Sequence, residues 1–251
     1  MRLFKPSKVT ITLLQVLIIP LLVYSFTSNS YHLNDSAYGV TSSLQKEDHL
    51  DFSGDGSGGN QSDGASRDGQ CPNVGNIWLT ALIPVSGNGK TTEARPTLWF
   101  YIPYTSSQIA LAEFVINDNR IPLIVPETPG YTSLRIPQEF SLEVDTEYKW
   151  FLEIHCDLRN RKKIPAYVNG KIQRIESTNV LSTQLEEPGI AQELVYAEYG
   201  LWFDAINYVS ALRSQNPSDQ ALLLRWQNLL AVKGVHLDSM PQEPFVGTLL
   251  E

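Results

Sequence analysis

The chain has little of what most recognisable chemistry needs. Of its 251 residues only two are cysteine and four are histidine. No GxSxG elbow, phosphate-cradling glycine loop or paired-cysteine zinc motif occurs in it. Lys and Arg number 19 against 27 Asp and Glu, for a formal charge of −8. That balance argues against nucleic acid as a partner, because phosphate-backbone binding rests on clustered cations. It favours solubility and weak repulsion from anionic membrane surfaces. No cofactor is implied by any motif.

What is present begins with an address. Met1 to Lys8 carries Arg2, Lys5 and Lys8 without an acid, and Val9 to Phe26 then runs uncharged through Leu13, Leu14, Val16, Leu17, Ile18, Ile19, Leu21, Leu22 and Val23. A basic start, an apolar middle and a small polar end (Ser25, Thr27, Ser28, Ser30) make residues 1–30 a secretory signal, with cleavage expected near Ser28 to Tyr31. The alternative is an uncleaved N-terminal anchor, the one route by which this chain would meet a membrane. Against it, the run is diluted by Thr10, Thr12, Gln15 and Pro20 and is short for a spanning helix. The protein is therefore expected to be exported, to a periplasm, an outer envelope or the medium.

Export gives the cysteine count a meaning. In an oxidising compartment Cys71 and Cys156 most simply pair with each other. Such a bridge closes a long loop and stabilises by about 4 kcal/mol in the chain-entropy account. A catalytic thiol would want a positive, partly exposed setting; only His155 adjoins Cys156, and on a strand it points to the other face.

Residues 31–70 lack a sustained apolar period. Their second half is Gly, Ser, Asp and Asn with one aromatic, Phe52, so the segment is expected to be a disordered acidic linker. From Cys71 the character changes to short apolar runs between turn signals. Expected strands are Ile77 to Val85, Thr97 to Pro103, Ile109 to Asn117, Ile121 to Val125, Leu134 to Pro137, Tyr148 to Asp157 and Ala166 to Glu176. SGNGK reads as a turn after the first, and Gly170 as a bulge in the last. Pro122 and Pro126 place the fourth at an edge. The stretch YKWFLEIHCD organises the rest: Tyr148, Trp150, Leu152, Ile154 and Cys156 share one face, while Lys149, Phe151, Glu153, His155 and Asp157 share the other. About seven strands in this length predict an antiparallel β-sandwich over 71–176 resembling immunoglobulin-type domains.

After a linker at 177–187 the period shifts to 3.6. Three helices are expected at Ile190 to Tyr199, Leu201 to Ser214 and Gln220 to Val232, with Pro188 at the start, a break at Gly200 and a cap from Ser218 or Asp219. The 188–234 segment resembles one tetratricopeptide unit plus a capping helix, through Tyr196, Gly200, Ala205 and Pro217. A single such unit must bury its face elsewhere, so docking on the sandwich is expected, with docking on a partner as the alternative. The tail, 235–251, is expected to be flexible.

A set of distinctive stretches runs through the chain: Cys71-Pro72, LTALIP at Leu79 to Pro84, PTLWFYIP at Pro96 to Pro103, AEF at Ala112 to Phe114, YKW at Tyr148 to Trp150, and Cys156-Asp157. VNGKIQRI at Val168 to Ile175, YAEYGLWFDAI at Tyr196 to Ile206 and the Trp226 helix complete the set. In this order and spacing they resemble a cyanobacterial family known as domain of unknown function 928. The resemblance implies an exported protein with a disordered stretch after its signal, and it brings no catalytic residue with it.

Candidate sites are few. Trp99, Tyr101 and Tyr104 belong to an aromatic run that, if exposed, suits a sugar or a protein. If covered, it is the seat for Trp202 and Trp226, and the covered arrangement is the expected one. Arg159, Arg161, Lys162 and Lys163 form the densest basic cluster, suited to an acidic polysaccharide or lipid head, or simply solvated. Glu153 and His155, with Asp157, share an outward face, where a hydrolase or metal centre is geometrically possible; an ordinary wet strand face is the plainer reading. The expected function is a non-catalytic interaction or envelope-structural module, with another envelope protein or a glycan as partner. A carbohydrate-binding or glycan-processing accessory role is the alternative.

Overall fold

The computed structural model describes residues 51–53, 59–62, 71–159, 164–242 and 245–250, all within the compact unit Ala37–Glu251. The expected signal at 1–30 and most of the expected linker at 31–70 lie outside the described residues.

Glu147–His155 forms β7, the middle strand of a five-stranded sheet. Its alternation is realised in burial: Trp150, Leu152 and Ile154 are fully enclosed, while Lys149 is exposed and Phe151, Glu153 and His155 are half-buried. On one side β7 pairs with β4 (Leu111–Ile116), which hairpins to β5 (Asn119–Pro122) at the sheet edge. Asn117 and Asp118 turn that hairpin with φ of 44° and 67°, the left-handed geometry of a tight two-residue connection. Pro122 sits on the edge strand, as expected of a residue that cannot donate to a ladder. On the other side β7 pairs with β8 (Ala166–Arg174), and β8 with β2 (Asn88–Thr91).

A four-stranded sheet lies over this one, in the order β1 (Thr80–Ala81), β3 (Thr97–Ile102), β6 (Gly130–Arg135), β9 (Phe245–Thr248). Phe100 of β3 meets Trp150 of β7 edge-on, ring centroids 5.7 Å apart, at the heart of the shared core. The result is mainly β, in two layers, followed by helices.

Several expectations are corrected. The sheets are not wholly antiparallel: β2 runs parallel to β8 and β9 parallel to β6, each at an edge. A parallel partner needs a long crossover, and both arrive from far along the chain. The first expected strand shrinks to Thr80–Ala81, and the segment read as its turn supplies β2. The strand expected at Leu134 to Pro137 runs from Gly130 to Arg135. Gly170 is no bulge, since its register with Trp150 is regular. A Cβ there would stand 2.7 Å from the Trp150 ring and from the Gly87 carbonyl, so the glycine is required by close approach.

The helices are α1 (Asn179–Leu185), α2 (Gln192–Glu198), α3 (Trp202–Gln215) and α4 (Gln220–Ala231). α1 occupies the segment expected as linker; Thr178 caps it by accepting from the Leu181 amide. Gly200, at φ 69°, separates α2 from α3, and Asp219 caps α4 through the amides of Ala221 and Leu222. α3 lies on β2 and β3. Trp202 donates its indole N–H to the Leu82 carbonyl at 2.7 Å, and the Phe203 ring fills the space where Gly89 has no side chain. α2, α3 and α4 thus share one core with the sheets, while Leu181 of α1 packs with Val195 and Leu201 in a second cluster.

Both ends of the described chain are tied down where looseness was expected. Phe52, the lone aromatic of the linker's second half, is buried with its ring 5.1 Å from Trp202, and Asn60 exchanges backbone hydrogen bonds with Asn169. In the tail, Val235, Leu237 and Leu249 are buried and 245–248 completes the four-stranded sheet. Apolar residues spaced irregularly in a polar stretch produce no period to read, yet each fills a socket.

Candidate functional site

The aromatic strand is covered. Trp99, Tyr101 and Tyr104 are 7%, 4% and 4% exposed. Trp99 donates its indole N–H to Asn207 of α3 at 3.3 Å and meets the Phe245 ring edge-on at 5.0 Å. Tyr101 meets Tyr131 in the same way at 5.2 Å, and Tyr131 in turn contacts Trp226. The cover therefore combines α3, α4 and the tail strand. In the basic loop, Arg159 is fully exposed and bonds to Asp157; Arg161, Lys162 and Lys163 lie outside the described residues.

Glu153 and His155 are brought together, but Asp157 does not join them, since its carboxylate accepts from the Arg159 backbone and side chain. Two residues from neighbouring strands do. Glu113 of β4 stands directly opposite Glu153 in the register, and Arg120 of β5 places one Nη1 at 3.0 Å from Glu113 Oε2 and 2.8 Å from Glu153 Oε2. The two carboxylates hold the Arg120 guanidinium protonated above its ordinary range, Glu153 most strongly. His155 Nε2 lies 3.7 Å from Glu153 Oε2 and 3.9 Å from Glu113 Oε2. Among the described residues this is the one grouping of three His, Cys, Asp or Glu with ligand atoms close enough to share an ion.

A second polar site lies where the helices meet the four-stranded sheet. The loop after β2 supplies Glu93 and Arg95, the end of β6 supplies Arg135, α2 supplies Tyr196, and α3 supplies Asp204, Asn207 and Tyr208, around a cleft of about 330 Å³. Asp204 is 8% exposed. It accepts from the Thr92 hydroxyl at 2.7 Å and the Thr92 amide at 3.2 Å. Burial pushes its carboxyl above the ordinary range, nearby Glu93 adds to this, and the hydrogen bonds from Thr92 and Thr91 oppose it. Tyr196 is likewise pushed up, first by burial and then by Asp204 and Glu93. Behind the cleft a bidentate ion pair joins Arg225 of α4 to buried Glu193 of α2, and the Arg225 guanidinium lies 5.8 Å from the centre of the Tyr208 ring. That pair fixes the tyrosine wall. Arg95 is held by its Nε bond to the Ile136 carbonyl at 3.0 Å, whereas Arg135 is exposed.

From the sequence, the groove between sandwich and helices is an expected binding surface, but neither Glu113 and Arg120 nor any residue of this cleft is picked out as a site residue. Glu113 was within reach, because it sits on a strand whose neighbours Ala112 and Phe114 face the core. The cleft carried no local signal at all.

A two-sheet β fold with a helical cover and a Cys71–Cys156 disulfide, S–S 2.05 Å, defines the class of molecule. Within it, a family model described as Domain of Unknown Function (DUF928) matches residues 62–245, and the chain belongs to that family. No curated protein matches it significantly. No helix among the described residues is long and apolar enough to cross a membrane.

Proposed function

We propose that the protein is an exported, non-catalytic binding module that holds an acidic glycan segment in the cleft between the four-stranded sheet and the helices. The observation that carries this reading is the cleft's wall chemistry. Two arginines stand beside two tyrosines, Asn207 and the carboxyl groups of Asp204 and Glu93. Guanidinium forks suit carboxylates, aromatic faces suit sugar rings, and amide and carboxyl groups suit hydroxyls. The cleft's size suits one or two small units rather than a protein surface. In this reading the immunoglobulin-like sandwich is the platform, and the tetratricopeptide-like helices are the second wall. Export rests on the N-terminal pattern and agrees with a formed disulfide.

The test is calorimetric titration of the full chain with uronate-containing oligosaccharides and with neutral oligosaccharides of equal length. Selective binding of the acidic set, weakened at least about tenfold by Arg135→Ala and by Tyr208→Ala, supports the assignment. Equal binding of both sets removes the role given to the arginines. No binding of either would overturn the glycan reading.

A further inference from the structure

We propose that Glu113, Glu153 and His155 form a divalent transition-metal site on the outer face of the five-stranded sheet, with Arg120 as a built-in cation that the metal displaces. The inference is independent of the cleft and of what the cleft binds.

Two carboxylates directly opposite on adjacent strands repel each other, and register places Glu113 and Glu153 that way. The position between them therefore demands a positive charge. Arg120 meets the demand with one nitrogen shared between the two Oε2 atoms. Its side chain is 53% exposed and comes from the edge strand, so it can swing to solvent without disturbing the core.

The imidazole is a separate observation, and it points to a ligand. His155 Nε2 is buried and hydrogen-bonds nothing, although it faces both carboxylate oxygens at 3.7 and 3.9 Å. A buried ring nitrogen without a partner is costly. Arg120 does not supply what it lacks, since its Nη1 is taken up by the two carboxylate oxygens and no hydrogen bond reaches Nε2. A metal ion resolves both features together, by taking one oxygen from each carboxylate and the lone pair of Nε2.

Ligand chemistry narrows the ion. Two carboxylate oxygens and one imidazole suit zinc, cobalt(II) or manganese(II). They are too few and too nitrogenous for calcium, and they lack the sulfur that copper(I) prefers. Bonds near 2.1 Å require Nε2 and each carboxylate oxygen to close by about half an ångström, a small rotation for the half-buried glutamate side chains. The remaining coordination positions face solvent on the side Arg120 vacates.

The test titrates the full chain with cobalt(II), following the visible d–d bands, and then displaces it with zinc. Wild type should take up one ion per chain with a spectrum showing nitrogen ligation. Arg120→Gln should bind at least about tenfold more tightly, and His155→Asn, Glu113→Gln and Glu153→Gln at least about tenfold more weakly. Selective paramagnetic broadening of the His155 imidazole signals in the wild type reads the same site without any variant. Absence of binding in the wild type, binding confined to Arg120→Gln, or uptake unaffected by His155→Asn each overturns the proposal and leaves an arginine-clamped surface ion cluster.

Discussion

The cleft beside Asp204 takes its walls from a loop, a strand end and two helices, and its closest internal bond joins residues 112 positions apart. The cluster around Arg120 takes all its groups from adjoining strands of one sheet, fixed by register alone. One is made by docking and the other by pairing. A site made by docking depends on everything that holds the layers together, whereas a site made by pairing survives as long as its sheet does. Damage to the helix–sheet contact should therefore separate the two.

The largest effect is expected from Trp202→Ala. Trp202 is fully buried, donates to the Leu82 carbonyl and packs on Phe52. Truncation should cost about 3–5 kcal/mol from lost burial and the cavity left behind, with the Leu82 carbonyl left unpaired besides. Thermal unfolding measures the loss. If the distinction holds, ligand binding in the cleft disappears while the His155 imidazole signals keep their shifts. Simultaneous loss of both would mean that the sheets depend on the helices too.

Removing the disulfide works from the opposite side. Cys156 directly follows β7 and ties it to Cys71, 85 positions earlier. Cys71→Ser with Cys156→Ser should cost about 2–4 kcal/mol, read by denaturant unfolding. Here the disturbance is next to His155, so the sheet-face cluster should loosen first. Faster hydrogen exchange at the C-terminal end of β7 than in α3 would bear this out.

How far each region could be read from the chain follows from the same contrast. The faces of β7, the edge position of Pro122, the pairing of the cysteines and three of the helices rest on local periods and local chemistry, and they were legible. Half of the sheet-face cluster was legible too, since alternation alone puts Glu153 and His155 together. Glu113 and Arg120 needed the register of two further strands, which no local pattern encodes. The edge strands β2 and β9 were invisible for a related reason: each is short, and each pairs with a partner far away in sequence. Phe52 and Phe245 show the limit most plainly. Both lie in polar stretches that suggested disorder, and both are held by aromatic sockets that exist only after the helices have docked.

Asp204 gives the cleft a pH signature. Its carboxyl is raised in the folded state above its ordinary value of 3.8, by burial first. A raised carboxyl binds its proton more tightly when folded, so its contribution is complete below 3.8 and is lost as pH rises through the folded value. Wild type should therefore lose stability relative to Asp204→Asn as pH increases from about 4 towards neutrality. Chemical denaturation of the two proteins across that range measures the difference. A flat difference would show that the Thr92 bonds stabilise the charged form as well as burial opposes it.

The smallest effect probes the pairing itself. Glu113 and Glu153 face each other, so Glu113→Gln removes a repulsion together with one bond to Arg120, and the two changes should nearly cancel. A cost within about 0.5 kcal/mol is expected, as for exposed ion pairs generally. Arg120→Gln removes only the attraction and leaves the repulsion, so it should cost more, about 1 kcal/mol, and that cost should shrink as salt screens the two carboxylates. Combining the substitutions should restore most of the loss, because one carboxylate alone needs no clamp. This double-mutant cycle, run by denaturant unfolding at low and high salt, places the coupling in the strand register. Additive effects with no salt dependence would instead show that Arg120 is merely solvated beside its neighbours.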